Sequence, residues 1–338
     1  HIKGGLGYVT IMAAVIMAAL SGSAVADAAA LASLLLPMMV AAGHDRARSA
    51  GLIASAGIIA PVIPPSIGFV IFGVAGNVSI SKLFMAGIVP GILLGASLWV
   101  TWWWLARKEV VEVPPRKSMT EIGVAMREAT WALVLPLIVV FGLKFGVFTP
   151  TEAAVVAAMY ALLISLFVYK ELNFKSMVPL FVASAKTSAI VMFLVAAAMV
   201  SAWLITVANL PAELIALLQP MLDSPRLLMF TIMVITMVVG TALDMTPTIL
   251  LLTPVLMPVV KAAGIDPVYF GVLFIINNAI GLITPPVGTV LNAVAGVGKV
   301  SMDEVTRGVM PFMVAQFAIM FAMVAWPALV MVPARWFY

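Results

Sequence analysis

Three acidic residues lie inside the apolar stretches of this chain: Asp27, Glu152 and Asp244. An ionisable group at membrane depth is expensive and is a functional candidate by default. Asp27 and Asp244 are set among small polar residues. Ser21, Gly22 and Ser23 precede Asp27; Thr241 precedes Asp244, and Thr246 follows it. Each cluster falls between two apolar segments, where a helix is interrupted. A helix broken in mid-membrane presents backbone carbonyls on one half and backbone N–H groups on the other. Carbonyls, hydroxyls and a carboxylate suit a hard cation such as Na+. The N–H ends suit an anion. Plainer readings stay open: such a carboxylate also caps a helix N-terminus, and small residues also allow close helix packing. Glu152, in FTPTEA, is expected at a helix start, where Thr149 or Thr151 caps, Pro150 opens the helix and Glu152 sits on the dipole.

The elements that must position these groups can be read from the apolar runs. Residues 8–20 and 28–42 are each too short to span, which predicts a re-entrant helical hairpin with its tip at Ser21 to Asp27. Residues 227–240 and 247–263 flank GTALDM and predict a second hairpin. Each hairpin is followed by a long apolar segment with a break. In residues 47–77 the break is at Pro61 and Pro64-Pro65-Ser66, preceded by Ser55 and Gly57. In residues 267–298 it is at Thr284-Pro285-Pro286, preceded by Asn277, Asn278 and Gly281. Proline has no N–H and frees the carbonyl four residues back, here those of Ala60-Pro61 and Gly281-Leu282. A simple kink is the plainer alternative at each break. Residues 83–106 predict a full span ending in an interfacial aromatic belt, Trp102-Trp103-Trp104. Residues 107–128 read as a loop or surface helix, 131–147, 151–169 and 178–208 as spans, 209–226 as a loop or short surface helix, and 308–332 as a last span.

The hairpin and broken segment are written twice. Pro37, Gly43, Asp45, Pro64-Pro65, Gly87 and Pro90 recur as Pro258, Gly264, Asp266, Pro285-Pro286, Gly308 and Pro311. Duplication with broken apolar segments is the pattern of a secondary transporter, whose site lies between the repeats near the bilayer midplane. Composition agrees: 64% of the 338 residues are hydrophobic and only 9% charged, too few to cover a surface in water. The 23 methionines read as adaptable packing. With no cysteine, and with histidine only at His1 and His44 in polar flanks, thiolate or histidine metal sites have no material. No histidine or cysteine stands near the hydroxyl tips to activate a nucleophile, which argues against an intramembrane hydrolase. No phosphate-binding GxxxxGK[ST] loop and no potassium-channel filter motif appears. The opening HIKGGLG has no initiator methionine or signal-peptide pattern, so an N-terminal piece of the natural protein is expected to precede it. Nucleic acid is not expected as a partner, because the cations sit in short membrane loops.

Those cations predict orientation. With both hairpins entering and leaving on one face, Lys3, Arg46, Arg48, Arg107, Lys108, Arg116, Lys117, Arg127, Lys170, Lys175, Lys186, Lys299 and Arg307 share one side. Lys82, Lys144, Arg226, Lys261 and Arg335 share the other, so 13 of the 18 basic residues are expected in the cytoplasm. The first hairpin then enters from the cytoplasm and the second from outside, and the repeats are inverted.

SGSAVADAAA at Ser21, the PPS break at Pro64, GVFTPTEAA at Gly146, ALDMTP at Ala242 and NNAIGLITPPVG at Asn277 resemble, in order and over essentially the whole chain, the large membrane subunit of tripartite ATP-independent periplasmic (TRAP) transporters. That resemblance implies an all-α polytopic protein of the bacterial inner membrane. Its fold would be an inverted-repeat elevator transporter with two re-entrant hairpins and two broken helices, and not an enzyme. It implies a sodium-coupled importer of an organic acid, such as a C4-dicarboxylate or sialic acid. The acid is delivered by a periplasmic binding protein, and a small four-helix membrane subunit assists. The alternative is a stand-alone sodium/dicarboxylate symporter. By motif, Ser21, Gly22, Ser23, Ser55 and Gly57 frame one sodium site; Thr241, Asp244, Thr246, Asn278, Gly281 and Thr284 frame the other. Substrate is expected near Ser23, Ser66, Met245 and Pro286, with Asp27, Pro64, Pro65 and Pro285 in support. The implied organisation is transport-domain repeats at 1–82 and 227–300, scaffold at 83–226 with a cytoplasmic loop at 107–128, and a scaffold helix at 301–338. The family's first scaffold helices precede the Gly4-Gly5 motif and are absent from this sequence.

Overall fold

The computed structural model describes residues 2–107, 111 and 117–336. Among them every regular element is a helix, with no strand. Lys108, Arg116 and most of the charged segment after Arg107 lie outside the described residues, as does His1.

Two compact units form, one from residues 1–116 and 211–338 and the other from residues 117–210. The first unit carries two copies of one five-helix series. In the first copy these are α1 (Gly5–Ser21), α2 (Ala24–Ala41), α3 (Arg46–Gly57), α4 (Ile67–Gly76) and α5 (Ile80–Ala106). The second unit holds α6 (Met119–Lys144), α7 (Pro150–Leu163), running into a π-helical turn at Ile164–Val168, and α8 (Phe174–Val207). α9 (Leu210–Leu222) starts at the boundary and leads back into the first unit. The second copy is α10 (Pro225–Gly240), α11 (Met245–Ala262), α12 (Pro267–Gly281), α13 (Thr289–Gly298) and α14 (Met302–Ala325), followed by α15 (Ala328–Ala334).

The recurring residues explain why the copies match. Gly43 and Gly264 take φ of +89° and +66°, a left-handed conformation that glycine adopts without steric cost. Two residues later Asp45 and Asp266 cap the next helix, accepting from the Arg48 amide and from the Val268 and Tyr269 amides. Each copy's third helix stops before its Pro-Pro pair, at Gly57 and Gly281, and the fourth restarts after it. Both pairs, Pro64-Pro65 and Pro285-Pro286, contain a cis peptide bond.

The copies also interlock. α2 packs on α13 while α11 packs on α4; α3 packs on α14 while α12 packs on α5. Such reciprocity, in which element i of one copy meets element j of the other and j meets i, is the mark of two copies facing each other. α3 and α14 pack most closely. A Cβ on Gly308 would overlap the Ala47 carbonyl, and one on Gly51 would overlap the Gly308 backbone.

In the second unit Glu152 behaves as the sequence predicts. Thr149 accepts from the Glu152 amide, Glu152 returns a bond to the Thr149 amide, and Pro150 is the first helical residue. The Tyr160 and Tyr169 hydroxyls donate to the Trp131 and Glu128 carbonyls, which ties α7 and the π turn to α6.

Seven helices among the described residues are long and apolar enough to cross a membrane: α2, α5, α6, α7 with its π turn, α8, α11 and α14. Several expectations are corrected. The arms α2 and α11 are 18 residues each, so shortness does not mark them as re-entrant. α6 starts at Met119, inside the stretch read as loop or surface helix, because Ser118 and Glu121 form a capping box there. The last span is interrupted at Trp326-Pro327. Trp102 is not an interfacial anchor but fully buried, its indole donating to the Gly4 carbonyl at 2.8 Å; Trp103 and Trp104 are exposed. His44 is likewise buried, against Trp102, rather than in a polar flank. α5, α14 and α15 lie in the same compact unit as the two repeats.

Candidate functional site

The first tip is tighter than Ser21 to Asp27. Only Gly22 and Ser23 are non-helical between α1 and α2. Gly22, at φ +62°, lets the chain reverse, and Ser23 caps α2 by accepting from the Ala26 amide. Asp27 therefore sits in the first turn of α2, buried rather than in the turn itself. Its Oδ1 accepts from the Ser21 hydroxyl, which in turn accepts from the Ser23 amide at 3.1 Å. Asp27 thus ties the end of α1 to the start of α2, while its Oδ2 is buried with no partner among the described residues.

The second tip is wider, from Thr241 to Asp244. Asp244 is the N-cap residue of α11, yet its side chain makes no capping bond. It is exposed, and its Oδ1 accepts from the Thr289 hydroxyl at 3.3 Å, in the first turn of α13. This joins the second tip to the second break. The first tip likewise rests on the first break: a Cβ on Gly22 would come 2.5 Å from the Pro65 carbonyl and 3.3 Å from the Ser66 Cα. A third contact joins the halves, since the Met245 Cε lies 3.3 Å from the position of a Cβ on Gly68 in α4. The two tips and two breaks thereby form one connected region, into which the N-termini of α2, α4, α11 and α13 all lead. Four helix N-termini supply unpaired amides and positive dipole ends.

The C-terminal ends of the broken helices behave differently. α3 ends on the start of α2, where a Cβ on Gly57 would meet the Ala28 Cβ at 2.6 Å and the Ala24 carbonyl at 3.1 Å. α12 ends instead on the last turn of α10, where a Cβ on Gly281 would meet the Gly240 carbonyl at 2.8 Å. Around these ends lie buried oxygens with no partner among the described residues: Ser55 Oγ beside the first, Asn277 Oδ1 and Asn278 Oδ1 beside the second. A buried acceptor without a donor is costly. Neutral oxygens of this kind suit a hard monovalent cation, and one predicted ligand in each repeat, Ser55 and Asn278, keeps its oxygen open.

Other predicted residues are already engaged. Thr241 and Thr284 donate to carbonyls in their own helices, those of Val238 and Ile280, each at 2.8 Å. The Ser66 hydroxyl, expected at the substrate, is buried, donates to the Pro61 carbonyl and accepts from the Phe69 amide, so its proton serves the helix start. The Pro61 carbonyl is therefore not free. Gly281 and Leu282 carbonyls likewise accept from the Thr284 and Val290 amides at 3.0 Å. Ser23, Met245 and Thr246 are half-buried, as are Pro65 and Pro285; Pro64 is buried, and Pro286 is exposed.

Two further residues stand out: Asn277, which the sequence already places beside the second break, and Gln316, which it does not. Asn277 donates to the Met233 carbonyl at 2.7 Å and to the Thr236 hydroxyl, pinning α12 to α10. Gln316 of α14 is fully buried, donates to the Ser55 carbonyl at 2.9 Å and leaves its own Oε1 without a partner among the described residues. Its sequence signal was available: it is the one amide side chain in α14, and an amide in an apolar span must find a partner.

Comparison with known proteins bears on this arrangement. Residues 1–329 match the family model described as "Tripartite ATP-independent periplasmic transporter, DctM component". The chain is 54% identical over 336 residues to the 2,3-diketo-L-gulonate TRAP transporter large permease protein YiaN of Escherichia coli, covering 99% of this chain and 79% of that protein. It is 37% identical over 327 residues to the sialic acid TRAP transporter large permease protein SiaM of Vibrio cholerae, covering 97% and 77%. It is 34% identical over 336 residues to the C4-dicarboxylate TRAP transporter large permease protein DctM of Pseudomonas aeruginosa, covering 99% and 79%. These relatives are transporter permeases, not enzymes. With the match running from the first residue through α14 and the predicted tips and breaks within it, the chain belongs to the DctM family, the large multi-pass membrane permeases of bacterial TRAP transporters.

Proposed function

We propose that this chain carries an organic carboxylate across the bacterial inner membrane, coupled to sodium, by an elevator movement of its two hairpins and two broken helices. The observation that carries this reading is the joining of both tips to both breaks, through Gly22 with Pro65, Met245 with Gly68, and Asp244 with Thr289. The N-termini of four helices meet there, and they favour an anion without any arginine or lysine. The names of the relatives, a diketogulonate, a sialic acid and a C4-dicarboxylate permease, fit an organic acid as cargo.

Sodium would neutralise the carboxylate of Asp244 and draw on the open oxygens of Ser55 and Asn278. Ser21, Gly22, Ser23, Gly57, Thr246, Gly281 and Thr284 would shape the two cation sites. Ser23, Met245 and Pro286 would line the space for the acid, with Ser66 holding the start of α4. Asp27 would keep the first tip closed through Ser21. Because Asp244 faces the region that receives an anion, an added cation there favours anion binding, a coupling that is reciprocal by linkage. The reciprocal packing of the two copies supports inverted repeats, entering the membrane from opposite faces as the loop charges suggest.

A periplasmic binding protein and a small four-helix membrane subunit complete the proposed transporter. The self-sufficient symporter is the weaker reading, because the relatives are named as parts of TRAP transporters. Reconstitution in vesicles with the cognate small subunit tests the proposal. Diketogulonate, sialic acid and a C4-dicarboxylate are offered with and without the binding protein, under an inward gradient of sodium or of choline. Uptake of one acid that requires both sodium and the binding protein is expected. Uptake indifferent to sodium would sink the coupling; uptake indifferent to the binding protein would restore the symporter.

A further inference from the structure

Where α3 ends, its hydrogen bonding tightens. The Ile59 and Ala60 amides turn to the Ala56 and Gly57 carbonyls at 3.2 Å, three residues back. The Ile59 amide would otherwise serve the Ser55 carbonyl, four residues back. Gln316 meets that carbonyl with its Nε2 at 2.9 Å, reaching from α14 across 261 positions of chain.

The approach is built into the packing. Gly51 and Ser55 stand one helical step of four apart on α3; Gly308, Phe312 and Gln316 continue in steps of four on α14. Ridges of this spacing interdigitate when helices pack closely, and the glycine contact at Gly51 and Gly308 brings the two backbones together. Gln316 is fully buried and so is Ser55. Its amide therefore holds one carbonyl away from bulk solvent. A side chain that fixes the peptide following Ser55 also fixes the backbone from which the Ser55 hydroxyl, whose oxygen is open, projects.

We propose that Gln316 is a positioning residue for the first cation site, holding the Ser55 carbonyl and hydroxyl in the geometry that sodium requires. The inference rests on the sodium coupling proposed above. Supporting groups of this kind are commonly worth about 10- to 100-fold in metal affinity.

The test uses the purified full-length protein in detergent and sodium itself as the probe. The thermal unfolding midpoint is titrated with sodium against choline at constant ionic strength. Wild type is expected to rise with sodium and not with choline. Gln316→Leu, and Gln316→Met as a volume-conserving second variant, are expected to need about ten-fold more sodium for the half-maximal rise. A lowered midpoint in choline with an unchanged half-maximal sodium concentration would show that Gln316 only ties two helices, and would overturn the inference alone. Failure of both variants to fold would do the same. A wild type that does not respond to sodium would instead remove the coupling on which the inference stands.

Discussion

Gly51 of α3 and Gly308 of α14 meet backbone to backbone, with no room for a Cβ on either. Gly308 is one of the residues repeated in the sequence, its counterpart being Gly87 of α5. A Cβ on Gly87 would overlap the Val62 carbonyl, in the break of its own copy, so glycine is required at this position in both copies, against different partners. Gly308→Ala is expected to destabilise the protein by about 1–3 kcal/mol, the usual cost of overpacking a tight contact. Unfolding in detergent, followed by circular dichroism, measures it. A wild-type midpoint would mean that α3 and α14 part easily.

Asp244→Asn keeps an oxygen able to accept from Thr289 and removes only the charge. The variant should fold with a wild-type midpoint and lose sodium-driven uptake. Normal sodium-dependent uptake by the variant would take Asp244 out of the coupling.

Ser55→Ala has an expected effect that changes with the salt. In choline the substitution removes a buried hydroxyl whose oxygen has no partner, so stability should be unchanged or slightly higher. In sodium the variant should lose most of the stabilisation that wild type gains, and Asn278→Ala should do likewise for its own site. Equal sodium responses in all three proteins would assign both oxygens to packing.

Trp102→Ala is expected to cost about 3–5 kcal/mol, as for a large buried aromatic side chain. Trp104→Ala, at a site 56% exposed, should cost clearly less than Trp102→Ala. Comparable losses from the two would restore the reading of the tryptophan run as a uniform belt.

Much of the chain was legible because its signals are local. Gly43 and Gly264 mark left-handed turns, Asp45 and Asp266 mark helix starts, and Pro-Pro marks a break; each acts through its own few residues. The Thr149, Pro150 and Glu152 cap was legible for the same reason. What escaped depends on distant partners. Trp102 looks like its two neighbours in sequence, and its contacts with distant residues, Gly4, His44 and Phe312 among them, make it core. Ser66 looks like a ligand until Pro61 is found to hold its proton. Ser21 and Asp27 bracket what reads as one polar loop, but Asp27 lies on the face of α2 that closes on Ser21, so helix resumes three residues before it. Gln316 meets Ser55 from the far copy, a pairing that no local pattern encodes.

The exchange of partners, α2 with α13 and α11 with α4, has a consequence for ancestry. Each five-helix series covers its own arm only in part, α2 with α1 and α3 and α11 with α12; its twin covers the remaining face. A forebear with a single series would have left those apolar faces bare unless it worked as a pair. Fusing two genes would then have made permanent a dimer that already existed.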